Sequence, residues 1–539
     1  MTTPTLVIRN ADVRTMDPAA PRAEGVAITG QRITAVGSNA EILDLAGPST
    51  RQIDAGGATV MPGIIDAHNH LRLGATSPAV HLAAATNLEE IHALIAEHVR
   101  RHPSIDWIEG DGWNYAAVPE GRPTAQMLDA VCGERPAWLF SYDVHTVWLN
   151  TAAMHRFGIA DTGEVPFGTL ERDADGRPTG WVHDFAVKGI HPEGQRLLAG
   201  IVPGYHVDAQ YRRVVTNLRD AARFGITTAV EPQNGLDDVA LFTRAREEGE
   251  LRSRVVAAII HTPNDDRSAL DDIAAAAKQY ADDRFRLGPV KLYIDDVVEP
   301  HTAAMLTPYA NAPGCCGQTF WPADDFADLI VDLEMHGLQA FVHGTGDRGI
   351  RTALDGFAAA RALHGPRDTR HQIVHAECLS PEDIPRFAEL GVAACMQPRH
   401  CAPDLVADWR ANVGPERERY GWAMNSLHRA GARLAFSSDW NVAEMDPMIG
   451  LYTALTRADL DGNGAWNLEE AVDLDTALRA YTVGSAWANF AEHDRGVIAP
   501  GMLADVIALS GNLHAMDAVG LLDTHVTHTI VGGEVVFEV

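Results

Sequence analysis

Three features of the sequence predict an α/β fold, a (β/α)8 TIM barrel with a small composite β-sandwich domain from both termini and an inserted cap after the first barrel strand. Apolar strand-like runs alternate with helical patterns through the middle of the chain, as in repeated βα units. Both ends carry short alternating strands punctuated by glycine. A long irregular stretch rich in Gly, Pro and Trp interrupts the repeat after its first strand.

Residues 4–60 read as short strands, TLVIRNADV, GVAITGQRITAVG and RQIDAGGATV, with turns at Gly30 and Gly56-Gly57. The end of the chain, LADVIALSG and VTHTIVGGEVVFEV, has the same texture, and Gly532-Gly533 signals a hairpin. We therefore expect residues 1–61 plus 495–539 to form the composite β-sandwich and 62–494 the barrel, with 75–205 as an insertion. Nine strand candidates occupy the middle: GIIDAHNH, AWLFSYDVH, TTAVEP, RVVAAII, PVKLYIDD, QAFVHGTG, HQIVHAEC, VAACMQP and RLAFSSDW. AWLFSYDVH falls within 75–205, and setting it aside leaves the eight strands a barrel needs. An insertion there is expected to overhang the carboxyl end of the barrel, where active sites of this fold lie.

At 539 residues the chain exceeds one ordinary domain, but a barrel with insertions reaches this length. The net charge of -30 argues against nucleic acid or an anionic membrane as a partner, since both need a basic surface. No apolar run of about eighteen residues occurs, so no membrane span is expected. The amino terminus shows no charged region followed by an apolar one, so no secretory signal is expected. Six irregularly spaced cysteines without a CxxC pair fit buried thiols in a reduced cytoplasm better than a disulfide frame.

Chemistry-bearing residues fall at successive strand ends. His68 and His70 close VMPGIIDAHNH, and on an extended chain they project to one side while Asn69 points to the other. Two imidazoles on one side make half a metal site. Lys291 lies in the fourth barrel strand, His343 ends the fifth, His375 the sixth and Asp439 the eighth. A single buried histidine is more commonly a hydrogen-bonded core residue than a ligand. Six such groups in register at one barrel mouth are hard to attribute to chance.

The ordered set HxH, Lys, His, His, Asp resembles the amidohydrolase superfamily. The flanking segments GWNY, DVHTVWLN, GITTAVE, VKLYIDD, HGTGDRGI, SSDW and GVIAPGMLADVIAL are similar to its amidohydrolase-3 branch, the YtcJ-like and N-substituted formamide deformylase-like proteins. This resemblance spans essentially the whole chain. It implies that His68 and His70 hold a more buried metal with Asp439 as a further ligand. It also implies that Lys291 is N6-carboxylated and bridges to a second metal held by His343 and His375. A lysine ammonium is a poor ligand until it loses its proton; a salt bridge from Lys291 to Asp295 or Asp296 is the alternative.

Two divalent ions, zinc by ligand type, would supply metal-bound hydroxide at neutral pH, with Asp439 as general base and then acid. The expected reaction is hydrolysis of a non-peptide C–N bond, an amide, N-acyl or N-formyl group, in a small-molecule substrate. Ester hydrolysis, a metal-dependent lyase, isomerase or decarboxylase, and a non-catalytic metal-binding regulatory protein are the alternatives; a homodimer is left open.

His145, in DVHTVWLN, matches a family histidine and is assigned substrate contact or oxyanion stabilisation, with a structural role as the alternative. Trp113, Tyr293, Trp440 and His301 are candidate pocket residues, and core packing is the competing reading for the three aromatics. Where the family often has glycine, Asp296 stands here. His301 follows where no histidine is expected, and Asn441 replaces a common proline, so substrate specificity does not transfer. The letters HNH resemble a nuclease motif, but the acidic chain lacks the basic surface such a fold needs. DLDGNGAWNLEE, Asp459 to Glu470, fits a calcium-loop spacing, although a solvated acidic loop is the expectation preferred here.

Overall fold

A computed structural model describes residues 3–73, 78–159, 165–185 and 192–539. The chain divides into two compact units. The first comprises Met1–His70, Asn217–Pro232 and Phe242–Val539; the second comprises Leu71–Thr216 and Gln233–Leu241.

In the first unit an eight-stranded parallel sheet runs in chain order: Ile64–Asp66, Ile226–Asn234, Arg254–Ile260, Phe285–Tyr293, Ala340–Gly344, Gln372–His375, Ala393–Met396 and Arg433–Phe436. The continuous apolar runs that predict these strands are buried throughout most of their length, as expected for a parallel sheet covered on both faces. Backbone bonds near the carboxyl ends join the eighth strand to the first, from Ala67 N–H to Phe436 O (3.3 Å) and from Asp439 N–H to His68 O (2.8 Å). The sheet is thus a nearly closed barrel. Its interior is filled by Ala67, Val230, Val256, Ala258, Phe341, Val374, Ala393, Cys395 and Ala435, largely small residues that let the strands converge.

The two ends of the chain meet in the same unit. A four-stranded sheet comes from the amino-terminal residues alone, and a six-stranded sheet mixes both termini, with Val506–Leu509 antiparallel to Thr59–Pro62. One apolar cluster draws on both sheets, including Leu6, Ile28, Val60, Val506 and Ile530. The barrel is tied to these strands by a buried ion pair. The Arg254 guanidinium grips Asp505 through two bonds of 2.7 and 2.9 Å, and Gly532 N–H donates to the same carboxylate at 2.7 Å.

The second unit contains a six-stranded mixed sheet, in the order Thr169–Arg172, Pro178–His183, Val147–Leu149, Ala137–Ser141, Ile108–Trp113 and Val80–His81. AWLFS is its fourth strand, so this candidate is no part of the barrel sheet. Residues 75–77, 160–164 and 186–191 of the expected insertion lie outside the described residues. No helix among the described residues is long and apolar enough to cross a membrane.

Removing one partner of a buried pair strands the other charge, so Asp505→Asn is expected to lower unfolding stability by about 3–5 kcal/mol, read from urea denaturation midpoints. A second buried carboxylate predicts a pH dependence. Glu334 accepts from His364 Nδ1 at 2.8 Å and from His371 Nε2 at 3.3 Å. Burial raises its pKa, but the two histidine bonds outweigh burial and leave it below the ordinary 4.5. Its stabilisation is therefore present above that value and lost as pH falls through the lower folded value. Glu334→Gln should cost about 1–3 kcal/mol near pH 7, and the gap from wild type should close toward pH 3; a gap that widens instead would contradict the assignment.

Candidate metal centre

Parallel register aligns the candidate residues at one end of the barrel. Lys291 pairs with Phe341 and Tyr293 with His343, so these four side chains stand in adjacent rows on one face. His343 lies 4.7 Å from the Tyr293 ring and 4.5 Å from His375, between centroids. Beneath them Phe341 stacks on His68 at 5.3 Å. Strand alternation would turn His375 away from this face, because Val374 faces the barrel interior. The chain corrects this by entering the left-handed region at His375 (φ 74°) and Ala376 (φ 49°), and again at Asp439 (φ 55°). Such conformations cost energy for non-glycine residues and persist where surrounding structure imposes them.

His68 Nε2 and His70 Nε2 lie 3.2 Å apart, and Asp439 Oδ1 is 3.1 Å from the first and 3.0 Å from the second. A tetrahedral ion bonded at about 2.0–2.1 Å separates its donors by about 3.4 Å, so this triangle has the dimensions of one face of a metal site. All three residues are buried. Burial pushes the His68 imidazole down to about 3, which leaves its lone pair available. For Asp439 burial acts upward, but the neighbouring His68 and His70 outweigh it and hold the carboxyl well below its ordinary range. A neutral imidazole beside a carboxylate is the donor state that a divalent cation requires.

Lys291 is fully buried, and its Nζ has no hydrogen-bond partner among the described residues; the alternative salt bridge to Asp295 or Asp296 is not formed. Asp295 instead accepts from the backbone N–H groups of Ala304, Thr345 and Gly346. Burial lowers the Lys291 amine to about 7. An orphaned amine at that value is neutral in a large fraction of molecules near physiological pH. Tyr293 is buried beside it, its ring 4.6 Å from Nζ.

A second group was not visible in the sequence. His375, Glu377 and His400 place donor atoms within 4.8 Å of one another. His400 sits on a short helical turn, Pro398–Cys401, just after the seventh strand. Only the His-to-strand-end rule could have pointed to it, and His400 lies four residues past the last strand residue, Met396.

Several candidates sit elsewhere. Trp113 is fully buried in the apolar core of the second unit, its Nε1–H donating to Leu139 O at 3.1 Å, so it is a packing residue and not a pocket wall. His145 belongs to the same unit, in the turn after Ala137–Ser141, where its N–H donates to Asp143 at 3.0 Å. His301 is engaged on a loop, Nε2 at 2.9 Å from Asn311 Oδ1 and its ring against Tyr309; this local partner explains the unexpected histidine without a substrate role. Trp440 follows Asp439 directly, and its carbonyl accepts from His70 N–H at 2.7 Å. The calcium-loop reading fails on geometry. Glu470 accepts from Ser426 N–H and Oγ–H, and Asp459 accepts from its own loop at Asp461 and Asn463.

Asn69, which the side-alternation argument leaves without a role, helps hold the centre together. Its amide donates to Asp66 at 2.9 Å, and Asp66 also accepts from Ser438 N–H (2.9 Å) and Oγ–H (2.6 Å). These bonds join the His68/His70 segment to the loop that carries Asp439.

Residues 51–537 match the Amidohydrolase family, and the chain belongs to that family of hydrolases. It is similar to Protein LONG AFTER FAR-RED 3 of Arabidopsis thaliana, 30% identical over 94% of this chain and 87% of that protein. It is also similar to the N-substituted formamide deformylase of Arthrobacter pascens, 27% identical over 99% and 98% of the two chains. In fold it resembles an uncharacterized metal-dependent hydrolase from Pyrococcus furiosus, with a TM-score of 0.71 at 23% identity over 95% of this chain and 99% of that one.

Asp66→Ala leaves the Ser438 N–H and Oγ–H buried without their acceptor and takes from Asn69 its shorter bond, leaving only the 3.5 Å contact to Ser438 Oγ. The expected cost is about 1–3 kcal/mol for each unpaired group, measured as a fall in the thermal or urea unfolding midpoint.

Proposed function

We propose that the protein is a metal-dependent hydrolase that cleaves a non-peptide C–N bond, an N-formyl or other N-acyl amide, in a small molecule. The observation that carries this is the triangle of His68 Nε2, His70 Nε2 and Asp439 Oδ1, with sides of 3.0–3.2 Å. These three residues would hold one ion. Lys291, carboxylated on its amine, would bridge to a second ion with His343 and His375, and nitrogen and carboxylate donors favour zinc. Two divalent ions lower the pKa of bound water to about 7 and polarise the scissile carbonyl.

The chain's own groups do the rest. Asp439 directs Oδ1 to the histidine pair, and it would take a proton from the attacking water and return it to the leaving nitrogen. Only a neutral amine adds carbon dioxide, and the buried Lys291 is suited to that state. Tyr293 and Trp440 would border the substrate. The choice of amide over ester draws support from the relative named as a formamide deformylase. We further read the terminal sheets as a composite β-sandwich over 1–61 plus 495–539, beside a barrel of 62–494. The six free cysteines support a reducing, cytoplasmic setting, and a homodimer is the assembly to test.

Metal analysis of the purified protein, with a screen of N-formyl, N-acyl and cyclic amides in ¹⁸O-labelled water, tests this reading. Solvent oxygen should enter the acyl product, and a chelator should abolish turnover. Asp439→Asn should lower kcat by about 10²–10⁴-fold. Turnover that survives complete metal removal, or acyl product without label, would overturn the proposal.

A further inference from the structure

The six cysteines fall into two groups. Cys132, Cys378, Cys395 and Cys401 are buried. Burial pushes the Cys132 and Cys395 thiols up to about 12 and raises those of Cys378 and Cys401, so these four stay protonated and inert. Cys315 and Cys316 differ on two counts: they are consecutive in the chain, and both are partly exposed. Redox-sensitive thiols are accessible ones with a second thiol at hand to resolve the oxidised sulfur.

The two lie in the loop 294–322, between the strand Phe285–Tyr293, which carries Lys291, and the helix Ala323–Met335. Backbone bonds fix this part of the loop. Cys315 N–H donates to Ala312 O at 3.0 Å, Cys315 O accepts from Tyr309 N–H at 2.9 Å, and Cys316 O accepts from Met305 N–H at 2.8 Å. The Cys315 thiol donates to His301 O at 3.6 Å, and Arg348 donates to Cys316 O at 3.3 Å. Gly317 then passes so close to Ala303 that a β-carbon on it would lie 1.9 Å from Ala303 O. The neighbouring Ala304 N–H donates to Asp295, the carboxylate that also accepts from Thr345 and Gly346 just beyond His343. One short segment thus ties the two thiols to the end of the fifth strand.

We propose that Cys315 and Cys316 form a redox-reactive dithiol, which hydrogen peroxide closes into a vicinal disulfide and a small thiol reopens, releasing and restoring the hydrogen bonds of the 303–309 segment. In the first step one sulfur attacks the peroxide: an S–O bond forms, the O–O bond breaks, and the departing oxygen leaves as water with the thiol proton. The neighbouring sulfur then attacks this sulfenic acid: the S–S bond forms, the S–O bond breaks, and a second water carries off the other thiol proton. The two sulfurs together give up two electrons, and the peroxide takes them. Side chains of consecutive residues point apart along an extended chain, so the bridge forms only with backbone movement. The peptide between the two cysteines must turn, and its carbonyl then loses the Tyr309 N–H. A strained, exposed disulfide is readily reduced, which is the property of a labile bond and not of a structural one.

The test uses the full-length protein with hydrogen peroxide and needs no substrate, so its outcome is separate from that of the hydrolase assay. After oxidation and blocking with N-ethylmaleimide, mass spectrometry should find the peptide containing Cys315 and Cys316 unlabelled and lighter by two hydrogens, and labelled at both positions when dithiothreitol precedes the block. Phenylarsine oxide, which bridges adjacent thiols, should protect the same two residues in the reduced protein. Cys315→Ser and Cys316→Ser should each abolish both the bridge and the protection. Hydrogen exchange at the Met305 and Tyr309 amides should quicken by about tenfold or more in oxidised wild type and stay unchanged in both variants. Unfolding midpoints check that the variants are folded, and Cys315→Ala or Cys316→Ala replaces a serine variant that is not.

Sulfinic acid at either position without a bridge, a bridge to another cysteine or to a second chain, or two thiols still labelled after peroxide would each overturn the proposal. A vicinal disulfide that leaves exchange at Met305 and Tyr309 unchanged would overturn its coupling to the loop.

Discussion

The candidate metal centre depends on the joint between the end of the first barrel strand and the loop after the eighth. Asp439 N–H donates to His68 O, His70 N–H donates to Trp440 O, and Asp66 accepts from Ser438 and Asn69. These bonds close the barrel at its carboxyl end and, in the same stroke, bring a carboxylate within 3.1 Å of two imidazoles that lie 369 and 371 residues away in the chain. A parallel eight-stranded barrel must bring its last strand to its first, and the centre is built on that closure.

The centre accumulates groups that a protein interior would ordinarily exclude. Lys291 has no hydrogen-bond partner for its amine among the described residues, His68 and Asp439 face one another, and Glu377 is buried near other carboxyls. Each alone is destabilising by the desolvation of a polar or charged group. Under the proposed function, divalent cations would turn mutual repulsion and missing hydrogen bonds at this centre into ligand bonds. The unfavourable left-handed turns at His375, Ala376 and Asp439 belong to the same arrangement. Arg254 with Asp505, and Glu334 with its two histidines, are by contrast buried charges satisfied within the fold. The contrast marks the barrel mouth as the place where stability has been exchanged for chemistry.

The order of strands, the eight-strand count and the positions of His68, His70, Lys291, His343, His375 and Asp439 at strand ends were legible in the amino-acid order, because a parallel strand must be a continuous apolar run and the polar residue ending it must lie at the mouth. Membership of the amidohydrolase family followed from the same segments. The placements of Asn69, Glu377 and His400 were not legible. His375 reaches its neighbours by breaking strand alternation, and His400 lies beyond its strand on a turn whose direction no periodicity encodes. Trp113 and His301 misled for the opposite reason: an aromatic or a histidine near a motif looks the same in sequence whether it lines a pocket, fills a core or pairs with a nearby asparagine.

The sequence by itself determined which residues alternate, which runs are buried and which side chains end the strands, since these follow from local periodicity and apolar burial. Only the tertiary structure decided which donors face one another. That choice depends on barrel closure, on three left-handed residues and on hydrogen bonds such as Asp66 to Ser438 that span 372 positions, and no local rule of the chain contains them.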